Sequence, residues 1–282
     1  MNKTIGIIGF GNMGRAIGQQ LKGDYQVLCF DQDSSKTEDL SQIKAAGAVE
    51  DLVNKAQVLI LAVKPQDFDS VLNQIKGPIQ DKLIISIAAG ITTEHIEKTL
   101  GFARVIRAMP NIAAKIGEGV ICLSKGKFAT EEDFDFAENL FDYLGDAKRI
   151  EEAMMDAATA VSGSGPGFCF ALSQSQNIDA ANIEEFRRFV KNIFIPGLKQ
   201  AAEDVGFSKE EAEFLAIRTG NSCIGLIVKT KSSAEELRIQ VTSKGGTTEA
   251  GLEVLRNGGS LTEAVKAAKK RAGELSKSAS LN

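Results

Sequence analysis

Apolar residues along this 282-residue chain follow two different rhythms. In the first half they come in short runs with β-branched residues, bounded by glycine, proline or charge, the pattern of buried strands. Such runs fall at residues 4–10, 26–31, 58–63, 83–88, 104–109 and 119–123. Helical periodicity lies between the early ones, including 12–22, 35–46, 66–75 and 93–100. Residues 131–144 read as an amphipathic helix and 147–151 as a last strand. Buried strands alternating with helices predict an α/β fold on a doubly wound parallel sheet.

After about Glu151 strand signals stop and helix periodicity takes over. Helices are expected over 184–205, 209–229, 247–256 and 261–275, with Pro196 kinking or interrupting the first. The division expected is therefore 1–150 and an all-helical 151–282. The helical half is too elongated in pattern to bury its apolar faces alone, so helix-mediated pairing with a second copy is expected. Lys266, Lys269, Lys270 and Arg271 read as a solvated helix face.

Composition narrows the classes. Hydrophobic residues at 43% and charged residues at 25% are ordinary globular values, and a net charge of −4 argues against a nucleic-acid partner. No uninterrupted apolar run reaches membrane-spanning length; residues 214–228 come closest, broken by Arg218 and Asn221. Strand and glycine turn begin almost at Met1, so no signal peptide is expected. Cys29, Cys122, Cys169 and Cys223 are scattered in apolar surroundings and read as reduced thiols of a cytoplasmic protein, with no metal site. The single histidine, His95, follows Thr92 and Thr93 in a helix-start pattern and reads as a capping or surface residue.

Five stretches carry chemistry. Gly9, Gly11 and Gly14 form G-x-G-x-x-G between a strand and a helix. The first glycine allows a tight turn, the second close approach of a pyrophosphate and the third close helix–strand packing, with the helix start facing the phosphates. Ala62-Val63-Lys64-Pro65-Gln66 ends a central strand, where open parallel sheets bind ligands; its backbone can border a nicotinamide ribose or simply start a helix at Pro65. Arg107-Ala108-Met109-Pro110-Asn111 also ends a strand. Ser162-Gly163-Ser164-Gly165-Pro166 breaks a small-residue helix, which suits either another helix or a ligand. Val241-Thr242-Ser243-Lys244-Gly245-Gly246-Thr247-Thr248 presents N–H donors at a helix start, a nest for carboxylate or phosphate, or a cap with a flexible lead-in.

Together these stretches, with SIAAGIT at 86–92, resemble the Δ1-pyrroline-5-carboxylate reductase family, in order and at family-like spacing over nearly the whole chain. The resemblance implies a Rossmann domain followed by a helical dimerisation domain, and, with NADP or NAD as the cofactor, hydride transfer from its reduced form to a cyclic imine, yielding proline. It places the cofactor along Gly9, Phe10, Gly11, Asn12 and Met13, with Ala62, Val63, Lys64, Pro65 and Ala89 toward its nicotinamide half. The substrate carboxylate falls to Ser243, Gly245, Gly246, Thr247 and Thr248, with Thr248 as the catalytic threonine that meets the ring nitrogen. An iminium accepts hydride readily, so a strong acid residue is not required and positioning does most of the work.

Several positions depart from the family pattern. Asp31 and Asp33, at the end of the second strand, suit a free ribose 2′-OH and favour NADH, while Ser34, Ser35 and Lys36 offer an alternative phosphate cradle. Ile112-Ala113-Ala114 replaces Thr-Pro-Ala, Lys244 replaces a proline, Phe168 and Cys169 replace Tyr-Val, and Lys231 stands where some members carry an acid. The stretch 173–194 is longer than usual. These differences keep open a related cyclic imine, a small keto acid, or a non-catalytic cofactor-binding homologue.

Overall fold

The computed structural model describes residues 3–280 except 39, 78 and 80, with side chains as far as Lys277. The first half alternates as β1 (Thr4–Ile8), α1 (Asn12–Leu21), β2 (Gln26–Phe30), β3 (Ile43–Ala45), α2 (Val49–Lys55), β4 (Val58–Leu61), α3 (Phe68–Ile75), β5 (Leu83–Ser86), α4 (Thr93–Leu100), β6 (Arg104–Pro110), β7 (Gly119–Lys125), α5 (Glu131–Phe141) and β8 (Gly145–Arg149). They form one sheet in the order β3-β2-β1-β4-β5-β6-β7-β8. The first six strands in that order are parallel, as the doubly wound reading requires. β7 runs antiparallel to β6, because only a short 3-10 turn at Ile112–Ile116 joins them and no crossover helix intervenes.

One expected element is corrected. Residues 35–46, read as helical, hold a 3-10 turn at Ser34–Thr37 and then β3; residue 39 lies outside the described residues. Asp33 caps that turn, accepting from the Ser35 N–H, and Ile43 pairs beside Val27 as the sheet gains an edge strand. Hydrogen bonding to an existing sheet outweighs a weak helical pattern. α2, and α11 below, are helices the periodicity did not mark.

The second half is helical: α6 (Met155–Ala158), α7 (Gly165–Ser175), α8 (Ile183–Phe189), α9 (Ile195–Asp204), α10 (Lys209–Thr230), α11 (Ala234–Val241), α12 (Thr247–Arg256) and α13 (Leu261–Ser280). Two π-helical turns, Thr159–Gly163 and Val190–Phe194, each lie just ahead of a proline, Pro166 or Pro196. A proline has no N–H for the carbonyl four residues back and crowds it, so the helix widens there. The longer stretch after Ser173 becomes α8, whose Phe186 stacks on Phe170 at 6.3 Å in the helical core.

β7 joins the halves. Its residues alternate between two cores: Val120 and Cys122 belong to the helical cluster, Ile121 and Leu123 to the sheet's own. This is the period-2 geometry of a strand with both faces covered. The Ser222 hydroxyl on α10 donates to the Glu118 carbonyl at 2.5 Å, and Lys229 pairs with Glu118 at 2.7 Å. Glu152, just past β8, accepts from the Arg107 guanidinium at 2.9 Å, from the Thr93 N–H at 3.2 Å and from the Ser124 hydroxyl. Arg107 is only 2% exposed. Replacing Glu152 by alanine strands that buried cation, and we expect a loss of roughly 3 kcal/mol in urea unfolding, whereas truncating an exposed acid such as Glu235 changes little.

A candidate cofactor groove and anion nest

Strand β1 ends in a turn that only glycine can make. Gly9 has φ +92°, and a Cβ there would sit 2.7 Å from the Ala62 carbonyl carbon. A Cβ on Gly14 would run into the Gly9 carbonyl oxygen, so α1 presses directly on the turn. Gly11 has nothing within 4 Å of a Cβ position: it faces open space, where a diphosphate can approach the backbone. It is also the N-cap of α1, which has no side-chain cap. The first-turn N–H groups that a helix leaves without intrahelical acceptors therefore remain for an anion.

The groove beside this turn has a volume of about 290 Å³. Gly9, Gly11, Asp31, Asp33, Ala62, Val63 and Lys64 line it, from both sides of the β1–β4 switch point. Of the other residues assigned to the cofactor, Phe10 is buried, packed against Gly18 with Arg15 over its ring at 5.3 Å. Asn12, Met13, Pro65 and Ala89 do not line the groove. Lys36, Asp67 and Gln74 do; of these the sequence pointed only to Lys36, as part of an alternative phosphate cradle.

Asp31 is the groove's most heavily bonded side chain. Its carboxylate accepts the Phe10 N–H at 2.7 Å, the Asp33 N–H at 3.0 Å and Lys36 Nζ at 3.1 Å. Burial pulls this carboxyl upward, but the two N–H groups and the lysine outweigh it and hold it below its ordinary value. Asp31 thus braces the glycine turn against β2, a role its strand-end position alone did not reveal. Asp33, with a side chain 55% exposed, is the more open acid at the rim; it accepts from the Ser35 N–H and hydroxyl and lies 3.7 Å from Lys36 Nζ.

The second candidate region is the start of α12. Gly245 takes φ +70°, and Gly246 is the N-cap, again without a side-chain cap. The loop satisfies part of itself: Glu249 accepts the Gly245 N–H at 2.6 Å, and the Ser243 carbonyl accepts the Gly246 N–H at 3.0 Å. The first-turn N–H groups of Thr247, Thr248 and Glu249 are those a helix leaves for a ligand. Arg271 donates to the Gly245 carbonyl at 2.8 Å and steadies the loop. In its basic cluster, Lys266 pairs with Asp204 and Lys269 donates to the Val205 carbonyl, so this face docks α13 rather than only meeting water. Gly245 and Gly246 line a depression of about 360 Å³ with Glu249, Glu253, Arg256 and Arg271, separate from the groove.

Thr248 is 5% exposed, pressed against α7 where Gly167 has no side chain to obstruct it. The remaining motifs meet nearby: Met109 reaches to 3.3 Å of a Cβ position on Gly163. Asn111 is structural, its Oδ1 accepting the N–H groups of Ala113 and Val120. Phe168 and Cys169 are fully buried in the helical core, and Lys231 ends α10 in a left-handed turn beside a different depression. These three departures therefore do not face the nest within this chain. His95 receives the Thr92 cap and its Nε2 meets Asp69 at 2.7 Å. Burial pushes the Cys29 thiol up to about 11 and that of Cys122 to about 12, which leaves them unreactive.

A glycine-turned doubly wound sheet, fused to a helical half that carries a candidate anion nest at the start of α12, defines a two-domain dinucleotide-dependent oxidoreductase. Residues 4–90 match the model of the NADP oxidoreductase, coenzyme F420-dependent, family. Residues 192–275 match the pyrroline-5-carboxylate reductase dimerisation domain. The pyrroline-5-carboxylate reductase of Aquifex aeolicus is 32% identical over 92% of this chain and 91% of its own length. That of Methanosarcina acetivorans is 33% identical over 98% and 99%. A solved structure from Coxiella burnetii, a pyrroline-5-carboxylate reductase, is 29% identical, with a TM-score of 0.64 over 98% of this chain and 99% of that one. The chain belongs to the pyrroline-5-carboxylate reductase family. Among the described residues, no helix is long and apolar enough to cross a membrane.

The Asp31 brace has a pH signature. Its carboxyl lies lower folded than unfolded, so its contribution is fully present above the ordinary aspartate value of about 4. It is lost as pH falls through the folded value. Asp31→Asn keeps the shape but not the charge; we expect it to cost about 1–3 kcal/mol at pH 7 and to narrow its deficit at acid pH, read by chemical denaturation across pH.

Proposed function

We propose that this chain reduces Δ1-pyrroline-5-carboxylate to L-proline with a nicotinamide cofactor, as a cytoplasmic homodimer or an oligomer of dimers. The observation that carries the reading is family membership along nearly the full chain, with both the glycine-turn groove and the α12 nest intact. The matching dimerisation model over 192–275 supports pairing through the helical half, and we place the division between halves near residue 150, just after β8.

In this reading the bound dihydronicotinamide supplies the hydride. Gly9, Gly11 and the first turn of α1 hold the diphosphate. Ala62, Val63 and Lys64, with Pro65 and Ala89 beyond the groove, border the nicotinamide half. The substrate carboxylate rests on the first-turn N–H groups of α12 beside Ser243 and the Gly245–Gly246 turn. Thr248, at the same helix start, meets the ring nitrogen and holds the imine carbon in place. Fixing two reactants in this way replaces a strong acid.

The rim acids support NADH over NADPH. Lys36 pairs with both acids, so a 2′-phosphate would meet two carboxylates and one shared cation, whereas a 2′-OH can donate to Asp33.

Oxidation of NADH with Δ1-pyrroline-5-carboxylate tests the activity directly; tight cofactor binding without turnover would defeat it. Thr248→Ala is expected to lower kcat at least about tenfold while leaving the cofactor Kd nearly unchanged. Initial rates with the two cofactors test the preference: Asp33→Ser should raise NADPH efficiency about tenfold relative to NADH, and an NADPH-preferring wild type would refute the rim-acid argument.

A further inference from the structure

Ser164 stands where a serine ordinarily caps the helix that follows, yet α7 has no side-chain cap. Its hydroxyl is fully buried and reaches across the helical half to α12 instead. Ser164 Oγ lies 3.0 Å from Thr247 Oγ1, and Thr248 Oγ1 donates to it at 3.1 Å. Three hydroxyls thus form one line, running from the half-buried Thr247 through Ser164 to the buried Thr248.

Each hydroxyl has one proton to donate, so such a line has a direction, and fixing one end fixes the other. The consequence rests on the substrate placement proposed above. A carboxylate on the first turn of α12 is an acceptor only, so it draws the Thr247 proton toward itself. Thr247 then accepts from Ser164, and Ser164 accepts from Thr248, the donation the structure already contains. Thr248 is left with only lone pairs for the ring nitrogen. Lone pairs can accept an N–H from an iminium but have nothing to offer an unprotonated imine.

We infer that Ser164 is a specificity-determining residue: it links the substrate's carboxylate to its ring nitrogen, so that the site selects rings that are both carboxylated and protonated. The electron balance agrees. Hydride adds to the imine carbon, the C=N π pair moves onto nitrogen, and nitrogen keeps the proton it arrived with, so no proton travels along the hydroxyl line.

The test compares Δ1-pyrroline-5-carboxylate with Δ1-pyrroline, the same ring without the carboxylate, in wild type and Ser164→Ala. The preference in kcat/KM for the carboxylated ring should fall about tenfold in the variant, the size of one hydrogen bond. The same ratio is read without turnover by calorimetric titration of L-proline and pyrrolidine into each protein, and it should fall equally. Loss of both substrates in proportion, or no loss of either, leaves the ratio unchanged and overturns the inference. Failure of the wild type itself to reduce Δ1-pyrroline-5-carboxylate would instead overturn the functional reading on which it rests.

Discussion

One carboxylate holds this molecule's two halves in register. Arg107 lies inside the sheet, almost without solvent contact, and a guanidinium in that position needs an anion. Glu152 is that anion, and it comes from the first residues after the last strand. Its oxygens also take the Thr93 N–H at the start of α4 and the Ser124 hydroxyl on β7. A single side chain therefore ties the entry of the helical half to two strands and one helix of the first half. One of them, α4, follows the loop that carries Ala89, the residue that the resemblance places toward the nicotinamide half.

From that joint, the shared strand β7 follows. Its two faces serve two cores, so the helical half cannot close its own interior without Val120 and Cys122. Close approach then depends on absent side chains. α12 packs on α7 because Gly167 leaves room for Thr248, and Gly251 leaves room for Phe168. The same approach brings Ser164 within hydrogen-bonding distance of two threonines more than 80 residues away. Near the cofactor groove the logic is electrostatic: Asp31 fastens the glycine turn to β2 and is itself balanced by Lys36.

The strands of the central sheet were legible because each is a short apolar run buried on both faces, and α12 because its helical stripe begins right after a glycine pair. The 35–46 stretch was misread because an edge strand owes its existence to its neighbour: Ile43 extends the sheet only once Val27 is in place. The candidate site divides similarly. Gly9, Gly11 and Asp31 announce themselves by spacing, since each meets a local backbone requirement. Gln74's place in the groove and the partners of Ser164 do not, because what surrounds each comes from distant stretches of the chain.

By itself the sequence determined the alternation of strands and helices, the glycine turn, the glycine pair at a helix start and the family, all of which rest on local spacing and chemistry. Only the tertiary structure decided that β7 reverses direction, that Asp31 braces the glycine turn, and that Phe168 belongs to the helical core. It alone decided that a serine in a small-residue break would join the line of hydroxyls beside Thr248. The reason is physical: a hydrogen bond between residues far apart in the chain leaves no periodicity and no spacing to read.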